Sequence, residues 1–149
     1  SHAQRRSFRS AMTGYLLDTN VVSETTKRTP NVGVLDWLRK SEPSFMSVLT
    51  IGELRRGVLA QRLRNQSNAD RLSAWLEQLE YEYRDFILDV DTAVIARWAA
   101  LGSGRTLPVV DSLIAATAVT HDLTVVTRNT EDFTGLGVKT LNPFVEGAS

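Results

Sequence analysis

The apolar positions of this chain fall into short blocks of two alternating kinds. Tyr15 to Leu17 is an unbroken apolar run closed by Asp18, suited to a strand buried on both faces, and Thr19-Asn20 supplies capping side chains for a helix behind it. After the turn signal Thr29-Pro30-Asn31, Val34, Leu35 and Leu38 recur at helical spacing through Arg39, and Pro43 stops that helix. Phe45 to Leu49 predicts a second strand. Thr50 to Arg64 predicts a helix with Ile51, Leu54, Val58 and Leu59 on one side, and Thr50-x-x-Glu53 has the spacing of a capping box. Beyond the polar turn Asn65-Gln66-Ser67-Asn68, the residues Leu72, Trp75, Leu76, Leu79 and Tyr83 form a helical apolar stripe that can serve either core or interface. Phe86 to Leu88 predicts a third strand. Asp91 then caps a helix carrying Val94, Ile95, Trp98 and Leu101, ended by Gly102-Ser103-Gly104. Asp111 to His121 is an alanine-rich helix, Leu123 to Thr127 a β-branched strand, and Val138 to Leu141 a last short one.

Strands separated by helices need crossover connections, so the economical α/β architecture is a parallel sheet covered by helices on both faces. In such sheets sites form beyond the carboxyl ends of the strands, where the strand order switches. Asp18 falls at one such end, and Asn129 to Asp132 follow another.

Composition narrows the chemistry. A chain of 149 residues, 42% hydrophobic, fits one domain with one core. The 17 basic and 17 acidic residues cancel, but Arg5, Arg6 and Arg9 stand in a segment without acids. The body is therefore slightly acidic and is no general polyanion binder; contact with nucleic acid needs a local basic edge. Residues 1–11 read as a tag remnant or disordered extension, with Met12 as the native start and one domain over residues 12–146. There is no cysteine, which excludes disulfides, thiolate metal sites and a cysteine nucleophile, and fits a reducing cytoplasm. No apolar stretch is long enough to span a bilayer, so no membrane association is expected.

Four short acidic motifs carry the candidate chemistry: Leu16-Leu17-Asp18-Thr19-Asn20, Thr50-Ile51-Gly52-Glu53, Asp111-Ser112-Leu113-Ile114-Ala115-Ala116 and Thr127-Arg128-Asn129-Thr130-Glu131-Asp132-Phe133. Two carboxylates about 4 Å apart repel by roughly 4 kcal/mol at an effective dielectric of 20, so a cluster of three or four calls for a cation. Without cysteine that cation is held by oxygen.

In this order and spacing, together with Leu141-Asn142-Pro143-Phe144, the motifs resemble the PIN-domain ribonucleases, in particular the VapC and FitB branch of toxins from type II toxin-antitoxin pairs. The resemblance covers roughly Met12 to Phe144. It implies a three-layer α/β/α fold with a central, mostly parallel sheet of four to five strands, and a Mg²⁺- or Mn²⁺-dependent endoribonuclease acting on RNA, including tRNA or other structured RNA. Asp18, Glu53 and Asp111 match the family's three principal acidic positions. At the fourth, the aspartate of many relatives is replaced by Asn129, with Asp132 as the nearest acid. By the same resemblance Asp18 and Asp111 are the main metal ligands, Glu53 holds metal or orients the attacking water, and Thr19, Asn20 and Ser112 stand behind them. A small cognate antitoxin, a homodimer and operator DNA bound by the toxin-antitoxin complex are the implied partners.

Each acid also has a purely structural reading. Asp18 can end a strand and accept turn amides, Glu53 can complete the box with Thr50, Asp111 can favour a helix N-terminus, and Asp132 can sit in a turn. Arg55, Arg56, Arg105 and Arg128 flank the motifs and can meet phosphates or pair with surface acids. The competing functions are a nuclease of this fold acting on DNA, or a catalytically silent interaction module.

Overall fold

The computed structural model describes residues 14–41, 44–101 and 106–147. The expected extension at residues 1–11, the start at Met12, the Pro43 stop, the Gly102-Ser103-Gly104 stop and Arg105 lie outside them. In chain order the elements are β1 (Gly14–Leu17), α1 (Thr19–Glu24), α2 (Val32–Lys40), β2 (Ser44–Ser47), α3 (Val48–Arg62), α4 (Gln66–Glu82), β3 (Ile87–Leu88), α5 (Thr92–Ala100), α6 (Val109–Thr120), β4 (Leu123–Val126), a 3₁₀ turn (Thr130–Phe133) and β5 (Thr140–Leu141).

Every strand pairing among the described residues is parallel, in the order β3-β2-β1-β4-β5. β1 is central: Leu16 stands opposite Phe45 of β2 and Val125 of β4. Because successive strand side chains alternate faces, Leu16, Phe45 and Val125 pack with Ile114, Ala115 and Ala118 of α6 and with Phe133. Leu17, Met46 and Val126 face the other way, onto Val21, Val22, Val34, Ile51, Leu54, Leu76 and Leu79 from α1 to α4. The result is two cores on one sheet, the expected three layers. Truncating Leu16 or Met46, both fully buried, would cost about 2 to 5 kcal/mol. The α4 stripe is core: Leu76 and Leu79 are buried, and Leu72, Trp75 and Tyr83 pack beside them.

Two local expectations are corrected. β2 ends at Ser47 rather than Leu49, because the Ser47 hydroxyl accepts the Leu49 amide at 3.0 Å and starts α3 there. Thr50 is thus a fully buried residue inside the helix, no capping box forms, and Leu59 is 52% exposed. Asp91 caps α5 as expected, accepting the Val94 amide at 3.0 Å. Asp111 lies in the first turn of α6, which opens two residues earlier at Val109, behind Pro108. No described helix is long and apolar enough to cross a membrane.

Candidate active site

The switch in strand order lies between β1 and β4. Their last paired rung is Leu17 opposite Val126, so Asp18 and Thr127 leave the sheet side by side at its carboxyl end. The Asp18 amide still donates to the Val126 carbonyl at 2.9 Å, while its side chain caps α1. Its Oδ1 accepts the Thr19 amide at 2.8 Å. Its Oδ2 accepts the Thr127 hydroxyl at 2.9 Å and the Asn20 Nδ2 at 3.4 Å. That hydroxyl in turn accepts Asn20 Nδ2 at 3.2 Å and the Asn129 amide at 3.1 Å, and Asn20 Oδ1 accepts the Arg128 amide at 3.0 Å. Three neutral residues therefore fix both oxygens of a nearly buried carboxylate.

Glu53 reaches the same place from α3. Its Oε1 accepts the Thr19 hydroxyl at 2.6 Å, a short contact expected for a charged acceptor. The carboxylate is thus tied to α1, 34 residues away in sequence, and not to the start of its own helix. Asp111 approaches from α6 and Asp132 from the 3₁₀ turn after β4.

Electrostatics tie the four acids together. Burial pushes the Asp18 carboxyl above its ordinary value, hydrogen bonds from Thr127 and Thr19 oppose the shift, and the charges of Glu53 and Asp132 add to it. Asp111 is also raised, first by burial and then by Asp18, Asp132 and Glu53. Asp132 rather than Asn129 is the fourth charge felt by both. Asn129 joins through its backbone amide, and its side chain caps nothing in the following turn.

Among the described residues no three acids or histidines stand in a ready-made metal cage. Mg²⁺ does not require one: it is hard, keeps several waters and binds through one or two carboxylates plus a phosphate. An all-oxygen set in which burial and neighbouring carboxylates raise Asp18 and Asp111 fits such an ion.

The surrounding expectations fare unevenly. Ser112 is turned away, accepting Trp98 Nε1 at 2.8 Å and donating to the Val109 carbonyl at 2.8 Å. Arg55 pairs with Glu80 on α4 at 2.8 Å, so it does not serve the acidic edge. Arg128 lies 4.7 Å from the centre of the Phe144 ring. Sequence reasoning passed over Thr127, fully buried and central to the network. Only the strand register exposes it, as the residue beside Asp18.

A parallel sheet in this order, with acids from β1, α3, α6 and the turn after β4 meeting at its carboxyl edge, defines a class: residues 15–137 match the PIN domain, and the chain belongs to that family. Among similar proteins, toxin FitB of Neisseria gonorrhoeae is 38% identical over 137 residues, covering 87% of this chain and 97% of FitB. The VapC ribonuclease Y4jK of Sinorhizobium fredii is 36% identical over 135 residues, covering 87% of this chain and 96% of Y4jK. Among solved structures, FitAcB from Neisseria gonorrhoeae superposes with a TM-score of 0.80 at 37% identity, over 87% of this chain and 97% of that one. FitAB bound to an IR36 DNA fragment gives 0.79 at 34% identity, over 91% and 99%. VapBC-5 from Mycobacterium tuberculosis, a member of the VapBC family of toxin-antitoxin systems, gives 0.65 at 26% identity, over 88% and 99%.

Proposed function

We propose that this chain is the endoribonuclease toxin of a toxin-antitoxin pair, hydrolysing RNA phosphodiesters in the cytoplasm with Mg²⁺ or Mn²⁺. The observation that carries the reading is the convergence of four acids at the strand-order switch, where the charges of Glu53 and Asp132 act on both Asp18 and Asp111. A helix cap or a turn acid needs no such company. Likeness to a protein named a toxin and to another named a VapC ribonuclease supports the activity. Likeness to FitAcB, FitAB with DNA and VapBC-5 supports an antitoxin partner and operator binding by the pair.

Asp18 and Asp111 would hold the ion, with Glu53 as a third ligand or as the group that orients the attacking water. When bound, the ion supplies Lewis-acid stabilisation of the phosphoryl charge and a more acidic water. The chain's own residues do the positioning. The Thr127 hydroxyl and the Asn20 amide keep Asp18 Oδ2 in place, and the Thr19 hydroxyl holds Glu53 Oε1 toward the same point. Asp132 adds negative charge that strengthens cation binding, and Asn129 offers a neutral carboxamide beside it. Hydrolysis adds a water oxygen to phosphorus and breaks the P–O3′ bond, leaving a 5′-phosphate and a 3′-hydroxyl.

The test is incubation of the protein with total RNA and Mg²⁺, followed by mapping of new 5′ ends. Discrete ends that vanish with Asp18→Ala and with chelator are expected. Equal cleavage by wild type and Asp18→Ala would place the chemistry elsewhere.

A further inference from the structure

Beside the acidic centre lies a polar cavity of about 620 Å³, within the roughly 300 to 1,000 Å³ range of small-ligand sites. One wall is the turn after β4, with Arg128, Asn129 and Thr130; the other is the C-terminal segment, with Asn142 and Phe144. That second wall is held firmly. The Asn31 side chain donates to the Val145 carbonyl at 2.9 Å and accepts the Val145 amide at 3.1 Å. A Cβ on Gly33 would come within 2.5 Å of the Pro143 carbonyl, so glycine is what lets α2 and this segment meet.

The lining carries donors that have no partner among the described residues. Asn142 Oδ1 accepts the Phe144 amide at 2.9 Å, which leaves its Nδ2 without a partner among the described residues. The carboxamide of Asn129 likewise has none there. The Arg128 guanidinium, which also lines the cavity, lies over the Phe144 ring, 4.7 Å from its centre, and offers a flat cationic stacking surface backed by the aromatic ring. Phosphate is disfavoured as the occupant, because among the described lining residues the acids Glu131, Asp132 and Glu146 outnumber the single arginine, Arg128. Two carboxamides beside a stacking surface suit a neutral planar group with donors and acceptors on its edge.

Building on the ribonuclease reading, we propose that this cavity receives one unstacked nucleobase of single-stranded RNA, next to the scissile phosphate. Asn142 and Asn129 read its edge, and the Arg128 guanidinium, backed by the Phe144 ring, stacks against its face. The cavity then sets base preference at one position of the RNA.

The test is fluorescence anisotropy on the full chain without added divalent ion, using labelled eight-nucleotide RNA backbones. Each carries one base, A, C, G or U, flanked by abasic sites, and a fully abasic backbone is the control. At least one base is expected to tighten binding about tenfold or more, in line with bidentate base contacts. That gain should disappear in Asn142→Asp, which keeps the acceptor for the Phe144 amide, and in Arg128→Met, which keeps an unbranched chain to lie over the ring. The proposal fails if all four bases bind like the abasic control, or if both variants keep the gain. It also fails if no base helps while an octa-arginine peptide binds and loses affinity with Glu146→Gln, which would assign the cavity to a basic protein partner. Base-selective binding without cleavage would overturn the ribonuclease reading alone; cleavage without base selectivity would overturn this one alone.

Discussion

Asp18 and Glu24 stand at opposite ends of the same short helix, α1, and are almost equally buried, at 7% and 6% exposure. Their surroundings are opposite in sign. Glu24 accepts the Lys27 ammonium at 2.9 Å and the Asn31 amide at 2.8 Å, with Arg128 nearby. Burial works against its charged form, but these donors and cations outweigh it and hold its carboxyl below the ordinary value. Among the described residues Asp18 receives neutral donors alone, and burial, reinforced by the charges of Glu53 and Asp132, holds its carboxyl above the ordinary value. Burial alone therefore does not mark a functional acid. A buried carboxylate whose neighbours are further carboxylates is held at an energetic disadvantage that a cation relieves, whereas one ringed by cations is structural.

The comparison is broken most sharply by exchanging the two roles in a cleavage assay. Asp18→Asn keeps the size and an acceptor for the Thr19 amide but removes the charge, and RNA cleavage should fall by about 10³-fold or more, a loss of roughly 4 kcal/mol in transition-state stabilisation. Glu24→Gln should leave cleavage within a few-fold. Comparable losses in both would erase the distinction.

In stability the order reverses. Glu24→Gln weakens a charge-assisted contact set in a buried position and should cost about 1 to 3 kcal/mol at pH 7 by denaturant melting. Thr127→Val should cost a similar amount, since it removes the hydroxyl shared by Asp18, Asn20 and the Asn129 amide. It should also reduce cleavage, because Asp18 loses its principal orienting donor.

A smaller effect sharpens the comparison through pH. With its folded pKa lowered, Glu24 contributes stability that is present above its ordinary 4.5 and lost as pH falls through the folded value. The advantage of wild type over Glu24→Gln should therefore shrink on acidification. For Asp111 the sign is opposite. Its folded pKa lies above 3.8, so the folded state binds more protons and stability falls as pH rises through that window. Asp111→Asn should melt a few degrees above wild type at pH 7, without metal, and lose that lead toward pH 4. A lead that grows on acidification would contradict the assigned sign.

The sheet and its helices were largely legible in the chain because periodicity reports burial. Tyr15 to Leu17 reads as a buried strand at once, and the Leu72 to Tyr83 stripe reads as an apolar helix face whose use as core only the packing of Leu76 and Leu79 decides. Val48-Leu49 misled because two apolar residues after Phe45-Met46-Ser47 extend a strand pattern equally well, until the Ser47 hydroxyl diverts the backbone into α3. Thr50-x-x-Glu53 misled for a related reason: local spacing cannot see the Thr19 hydroxyl that takes Glu53. Asp18 and Asp111 were legible as strand-end and helix-start acids, and Asn129 against Asp132 was not, since whether Asp132 brings its charge to the site depends on the 3₁₀ turn that follows Asn129. Glu24 was invisible, a single acid in the polar run Ser23 to Arg28, where sequence suggests solvent.

The most direct measurement is calorimetric titration of Mn²⁺ into wild type, Asp18→Asn, Asp111→Asn and Glu24→Gln. Millimolar or tighter binding should be seen in wild type and in Glu24→Gln, and be lost in both aspartate variants. Binding that survives both aspartate substitutions, or that depends on Glu24, would contradict the account.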